Sequence, residues 1–210
     1  MAGAATLPLV VIAGTISDPN SRASVNPGSS DSALVEVLIE TRDEQAWASA
    51  LFALAAVGLW IFLGPLWVRL RRGSEWLALV AVIGGVIVGA VLLFWSGFAL
   101  VALVAADYGD AVAARFLMVA GWETARVAVA PALVMVGATT LAGTRHGLFP
   151  TAINVFGGVF ALLLALGLFP ASPAGLMGLA VIVWVFVVAL HLAFAHPRAD
   201  THRRERAISG

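Results

Sequence analysis

The residues with the greatest scope for chemistry lie in one apolar stretch, Arg115-Phe116-Leu117-Met118-Val119-Ala120-Gly121-Trp122-Glu123-Thr124-Ala125-Arg126, with Pro131 to follow. On a helix, Glu123 and Arg126 stand three residues apart and can pair directly. At the centre of a membrane helix a charged residue costs about 2.5–3.5 kcal/mol, so two of them must be paired, hydrated or both. Two roles are open: an ion pair that fixes helix register, or a polar site for a small solute or a proton. At about 100° per residue, Arg115, Trp122 and Arg126 share a face with Ala130 and Leu133, and Glu123 flanks it. That stripe is expected to face the bundle interior. Pro131 has no N–H to give the Val127 carbonyl, so a kink is expected just past the charges, where it could open a polar cavity.

Two further polar residues fall in apolar stretches. Asn154 is expected to make an interhelical hydrogen bond in preference to a ligand contact. His191 and His196 are five residues apart and point to different faces, which argues against a proton relay. Residue types that are missing narrow the chemistry further. With no cysteine there is no thiolate metal site, iron–sulfur cluster or cysteine nucleophile. With no lysine there is no Schiff base. The four histidines include no i, i+4 pair. No metal, cofactor or catalytic constellation is therefore expected. Nucleic acid is not an expected partner either, since the formal net charge is +0 and no basic domain exists.

What must position these residues follows from composition. The 210 residues are 61% hydrophobic and 11% charged, with a mean hydropathy of +0.98, which excludes a soluble globular domain and a disordered chain. A spanning helix needs about 20 apolar residues. Five stretches qualify: Trp47 to Val68, Trp76 to Ala102, Phe116 to Leu141, Leu148 to Phe169 and Ala174 to Ala195. The fold class expected is an all-α polytopic transmembrane bundle of five full spans plus a short or truncated N-terminal apolar segment. In the third span Glu123 and Arg126 lie within about 8 Å of the midplane.

Four regions follow: an apolar segment 1–16, expected to be part of a first span; a loop 17–46; the bundle 47–195; and a basic tail 196–210. Residues 17–46 hold a Pro/Ser-rich part and an apolar stretch, Ala33 to Ile39, that reads as a short amphipathic helix. Thr41-Arg42-Asp43-Glu44 reads as a capping box opening the first full span. Loop charges alternate. Arg69, Arg71, Arg72, Arg145, Arg198, Arg203, Arg204 and Arg206 fall on one side, and most acidic residues on the other. The positive-inside rule then puts the C-terminus in the cytoplasm and the 17–46 loop outside. Small residues offer contact faces at Gly85/Gly89 and Ala174/Gly178, through which a homo-oligomer could form.

The Arg145-His146-Gly147-Leu148-Phe149-Pro150 turn leading to Gly157 and Gly158 is similar to small bacterial multi-span membrane proteins of uncharacterised, domain-of-unknown-function type. That resemblance implies a bacterial inner-membrane protein of about six helices, and no activity. The expected function is a non-catalytic accessory or interaction protein in the bilayer. The alternatives are a small-solute or proton-coupled carrier using Glu123 and Arg126, and a membrane enzyme acting on lipid.

Overall fold

In a computed structural model, residues 30–168 and 174–194 are described, without the side chains of Ala125 and residues 174–180. The 1–16 segment, most of the Pro/Ser-rich part of the loop, the 170–173 turn, the 196–210 tail and the packing of the Ala174/Gly178 face lie outside the described residues. Those described are 90% helical, without strands. The helices are α1 (Asp31–Glu40), α2 (Arg42–Leu70), α3 (Glu75–Asp107), α4 (Ala111–Val127), α5 (Val129–His146), α6 (Thr151–Gly167) and α7 (Ala174–Phe194). Three rods are long and apolar enough to cross a membrane: α2, α3, and α4 with α5 taken together over Ala111–His146. Thr151–Gly167 and Val181–Phe194 are apolar but shorter.

Helix α1 is the amphipathic helix expected near Ala33 to Ile39. Leu34 and Leu38, four residues apart, are buried with Leu103, Ala106 and Ala114, so α1 lies over the end of α3 and the start of α4. The capping box does not form. The Thr41 hydroxyl donates back to the Val37 carbonyl at 2.8 Å and caps no N–H of α2. A hydroxyl at this position has two uses, and here α1 runs into α2 with one residue between them, so the carbonyl four residues back is the nearer partner.

Helix α3 is the centre of the bundle, packing against α1, α2, α4 and α5. Its glycines allow this. A Cβ added at Gly84 would lie 2.7 Å from the Pro131 carbonyl oxygen and 2.9 Å from the Met135 nitrogen, so α3 and α5 touch backbone to backbone. Gly85 faces Leu63 and the Met135 sulfur, and Gly89 faces the Trp60 indole. The Gly85/Gly89 face is thus filled by α2 and α5 of the same chain. This corrects the expectation that it could serve a homo-oligomer: small residues show where backbones approach and leave open which helix approaches them.

Turns at both ends obey local chemistry. Gly109, at φ +73°, reverses the chain between α3 and α4, and Asp110 Oδ1 accepts from the Ala113 N–H at 3.0 Å. Ser74 caps α3 by accepting from the Leu77 N–H at 3.3 Å. Trp47 and Trp76 are largely exposed near opposite ends of the bundle, as indole rings are at a bilayer interface.

Because the α3–α5 contact is between backbones, Gly84→Ala is expected to cost about 1–3 kcal/mol as an overpacking substitution. The control is Gly97→Ala, which meets nothing within 4 Å and should hold or raise stability through better helix propensity. Thermal unfolding midpoints of the detergent-solubilised protein check this; equal midpoints for the two variants would contradict the packing described.

Candidate functional site

Charges sort to the two ends of the bundle, with one exception. At one end, Arg42 Nη2 meets Asp107 Oδ2 at 2.9 Å, joining α2 to the end of α3. Arg115 Nη2 and Nε meet Asp31 Oδ1 at 2.8 and 2.9 Å, fastening α4 to α1. Arg115 therefore turns toward α1 and does not share a site with Trp122 and Arg126. Beside it opens a groove of about 670 Å³ between α1 and the α3–α4 turn, with Asp31, Glu36 and Glu40 among its lining residues.

The opposite end is organised by Arg69. Its Nε and Nη2 both donate to the Leu148 carbonyl, at 3.0 and 2.5 Å. The guanidinium fork thereby ties the end of α2 to the α5–α6 turn, which a point-charge ammonium could not do in the same way. Gly147, at φ +62°, lets the Gly143 carbonyl accept from both Gly147 and Leu148. Asn154 completes the turn by donating from Nδ2 to the Phe149 carbonyl at 3.1 Å. Its bond stays within its own connection and does not cross to another helix as expected. The Asn154 Oδ1 is buried without a hydrogen-bond partner among the described residues and lies against Gly143. The Phe149 ring meets the His191 imidazole edge-on at a centroid distance of 5.9 Å. Arg69 and His191 thus belong to the turn carried by Arg145, Gly147 and Pro150. Sequence reasoning assigned Arg69 to topology alone, because nothing local links it to a carbonyl 79 residues away.

The exception is Glu123 with Arg126. Arg126 Nη1 lies 3.4 Å from Glu123 Oε1, and the side chains are 54% and 63% exposed. The inward face of α4 is instead made by Ala114 and Gly121, with Gly121 against Trp95 of α3. The stripe of Trp122, Glu123 and Arg126 points away from the bundle, contrary to the expectation that it faces inward. The physical reason is steric: Trp95 and Phe98 need a small residue opposite them, and Gly121 supplies it, which rotates the charges outward. Trp122 is anchored on one side only, its ring 6.3 Å from that of Trp95, and it is 53% exposed.

The helix does break where Pro131 removes a hydrogen bond. Helices α4 and α5 meet at Ala128, and Val127, whose carbonyl loses its donor, is exposed. Among the described residues, neither of the two cavities is lined by Glu123, Arg126 or Pro131. The outer groove and a cavity of about 30 Å³ lined by Gln45, Ser49 and Phe52 with Trp95 and Ser96 both lie elsewhere. Asn154 is remote too: it lies against Gly143, fourteen residues along α5 from Val129, or about 20 Å. The six residues singled out from sequence therefore fall into three places: Arg115 with Asp31; Trp122, Glu123 and Arg126 beside the Pro131 break; and Asn154 at the Arg69 turn. Among the described residues no His, Asp or Glu cluster could hold a metal. No family model, curated protein or solved structure matches the chain.

The Arg69 clamp has a direct consequence. Arg69→Ala leaves the Leu148 carbonyl without its charged donor and is expected to cost about 1.5–3 kcal/mol, with Arg69→Lys recovering only part. Arg71→Ala, at an exposed neighbour, should change stability by less than about 0.5 kcal/mol. Thermal unfolding of the three variants checks the order; equal effects at residues 69 and 71 would contradict it.

Proposed function

We propose that this chain is a non-catalytic integral membrane protein that works by docking a partner within the bilayer, through the outward face of α4. The reading takes α6 and α7 as further spans, making five, with the Arg69 end in the cytoplasm and the acidic end outside. The sorting of Arg69, Arg71, Arg72 and Arg145 to one end supports that orientation. The reading takes the membrane to be a bacterial inner membrane, as the resemblance read from the Arg145–Pro150 turn implies.

The observation that carries the docking reading is the exposure of Glu123 and Arg126 in the middle third of the apolar rod Ala111–His146. A guanidinium has five N–H donors. Within the chain, Arg126 uses one on a long contact to Glu123, and the pair makes no other hydrogen bond among the described residues. Facing hydrocarbon, the remaining donors and the second carboxylate oxygen would stay unsatisfied at a cost of several kcal/mol. A protein surface that brings complementary polar groups removes that cost. The half-exposed Trp122 beside Arg126 fits such a surface, since Trp and Arg dominate binding hot spots. The carrier alternative draws no support from the two cavities described, since neither is lined by Glu123 or Arg126.

A spin label at Val119→Cys, on the same exposed face, tests this in native membranes, because the chain has no other thiol. Its accessibility to dissolved oxygen should be well below that of the same label at Ile87→Cys, on the exposed side of α3. Equal accessibility would mean that lipid covers both, and the docking reading would fall. In proteoliposomes, wild type and Arg126→Ala should show the same ion and anion fluxes; a flux that Arg126→Ala abolishes would favour the carrier.

A further inference from the structure

Given that reading of α4 as a docking face, we propose that its occupant is a second copy of this chain, placed by a two-fold axis along the membrane normal, with Glu123 of each copy paired to Arg126 of the other. Val112, Val119 and Arg126 lie seven residues apart, and Phe116 and Glu123 lie four after the first two, so one stripe holds all five. All five are exposed. The stripe carries one positive and one negative charge and is therefore self-complementary, as an isologous contact requires: residue i meets j while j meets i.

The geometry is within reach. An axis along the membrane normal keeps each residue at its own depth, so Glu123 and Arg126 of opposite copies differ in height by three residues, about 4.5 Å. The same two side chains already span that rise within one chain, at 3.4 Å. Two copies place four charges of zero sum together, and each guanidinium gains acceptors for donors it leaves idle in the single chain. Competing occupants fit less well. The apolar stretch of residues 1–16 carries no charged side chain and so offers no counter-charge to either residue. Of the two small-residue faces, the one at Gly85 and Gly89 is filled by Leu63, Met135 and Trp60 of the same chain.

The test uses the full chain in membranes. Mild oxidation of Val119→Cys should convert most of it to a disulfide-linked species of twice the chain mass, while Ile87→Cys stays single. On the Val119→Cys background, Glu123→Arg and Arg126→Glu each set like charges together and should lower the link about tenfold or more. Co-expressed with tags of different size, those two variants should link to each other. The double variant Glu123→Arg/Arg126→Glu, self-complementary again, should link as the parent does and shows that altered charges at these positions still allow the chain to fold. If residue 119 is shielded from oxygen yet never links to itself, the second copy is overturned while the docking face stands. If the charge variants link as well as the parent, the reciprocal pairing is overturned. If residue 119 is as open to oxygen as residue 87, both readings fall together.

Discussion

The backbone contact between α3 and α5 at Gly84 is the constraint from which the remaining arrangement follows. Where a missing Cβ admits the Pro131 carbonyl and the Met135 amide, two helices approach more closely than side chains would permit. That contact sits just below Ala128, where α4 and α5 meet within the rod from Ala111 to His146. Above it, α4 packs along the upper part of α3 through Gly121 and Trp95. With α5 fixed by Gly84 and α4 fixed by Gly121, the rotation of α4 about its own axis is set. The charges go where that rotation sends them.

Low charge content gives the outcome its weight. With 11% charged residues, the charges that tie helices together do so at the ends of the bundle: Arg42 with Asp107, Arg115 with Asp31, Arg69 on the Leu148 carbonyl, and the other described charges apart from Glu123 and Arg126 lie in α1 or within a turn of a helix end. The bundle's own requirements leave Glu123 and Arg126 over. Small residues and long apolar runs would build the same helices without them, and a chain that otherwise keeps charge out of its apolar rods places both on the face its own core does not use. Their pairing across 3.4 Å with more than half of each side chain exposed describes a contact half made. The Arg69 turn is the opposite case, since there the fork of the guanidinium is spent on a carbonyl of its own chain and the result is a fixed corner.

Much of the fold was legible because apolar runs of spanning length have few other uses. The start of α3, the Gly109 reversal and the Gly147 turn follow from local residue types. Four features did not. Thr41 could cap forward or bond backward, and the choice was made by how closely α1 precedes α2. Gly85 and Gly89 showed a close approach without showing that Leu63, Met135 and Trp60 supply it. The direction of the Trp122–Glu123–Arg126 stripe was misread because the cost of charge in lipid was weighed alone; Ala114 and Gly121, seven residues apart, marked the inward face and were the available signal. Arg69 reached its carbonyl through tertiary structure, for which no sequence spacing gives a sign.

The most direct measurement of the central claim, that α4 requires a protein partner to cover Glu123 and Arg126, is the mass of the assembly released from native membranes in lipid particles without detergent. The wild-type chain of 21.7 kDa is expected in a complex heavier than itself. In Glu123→Gln/Arg126→Gln, which removes the charges at nearly constant shape, that complex is expected to be largely lost. A wild-type chain recovered alone, or a complex that survives unchanged in the double variant, would contradict it.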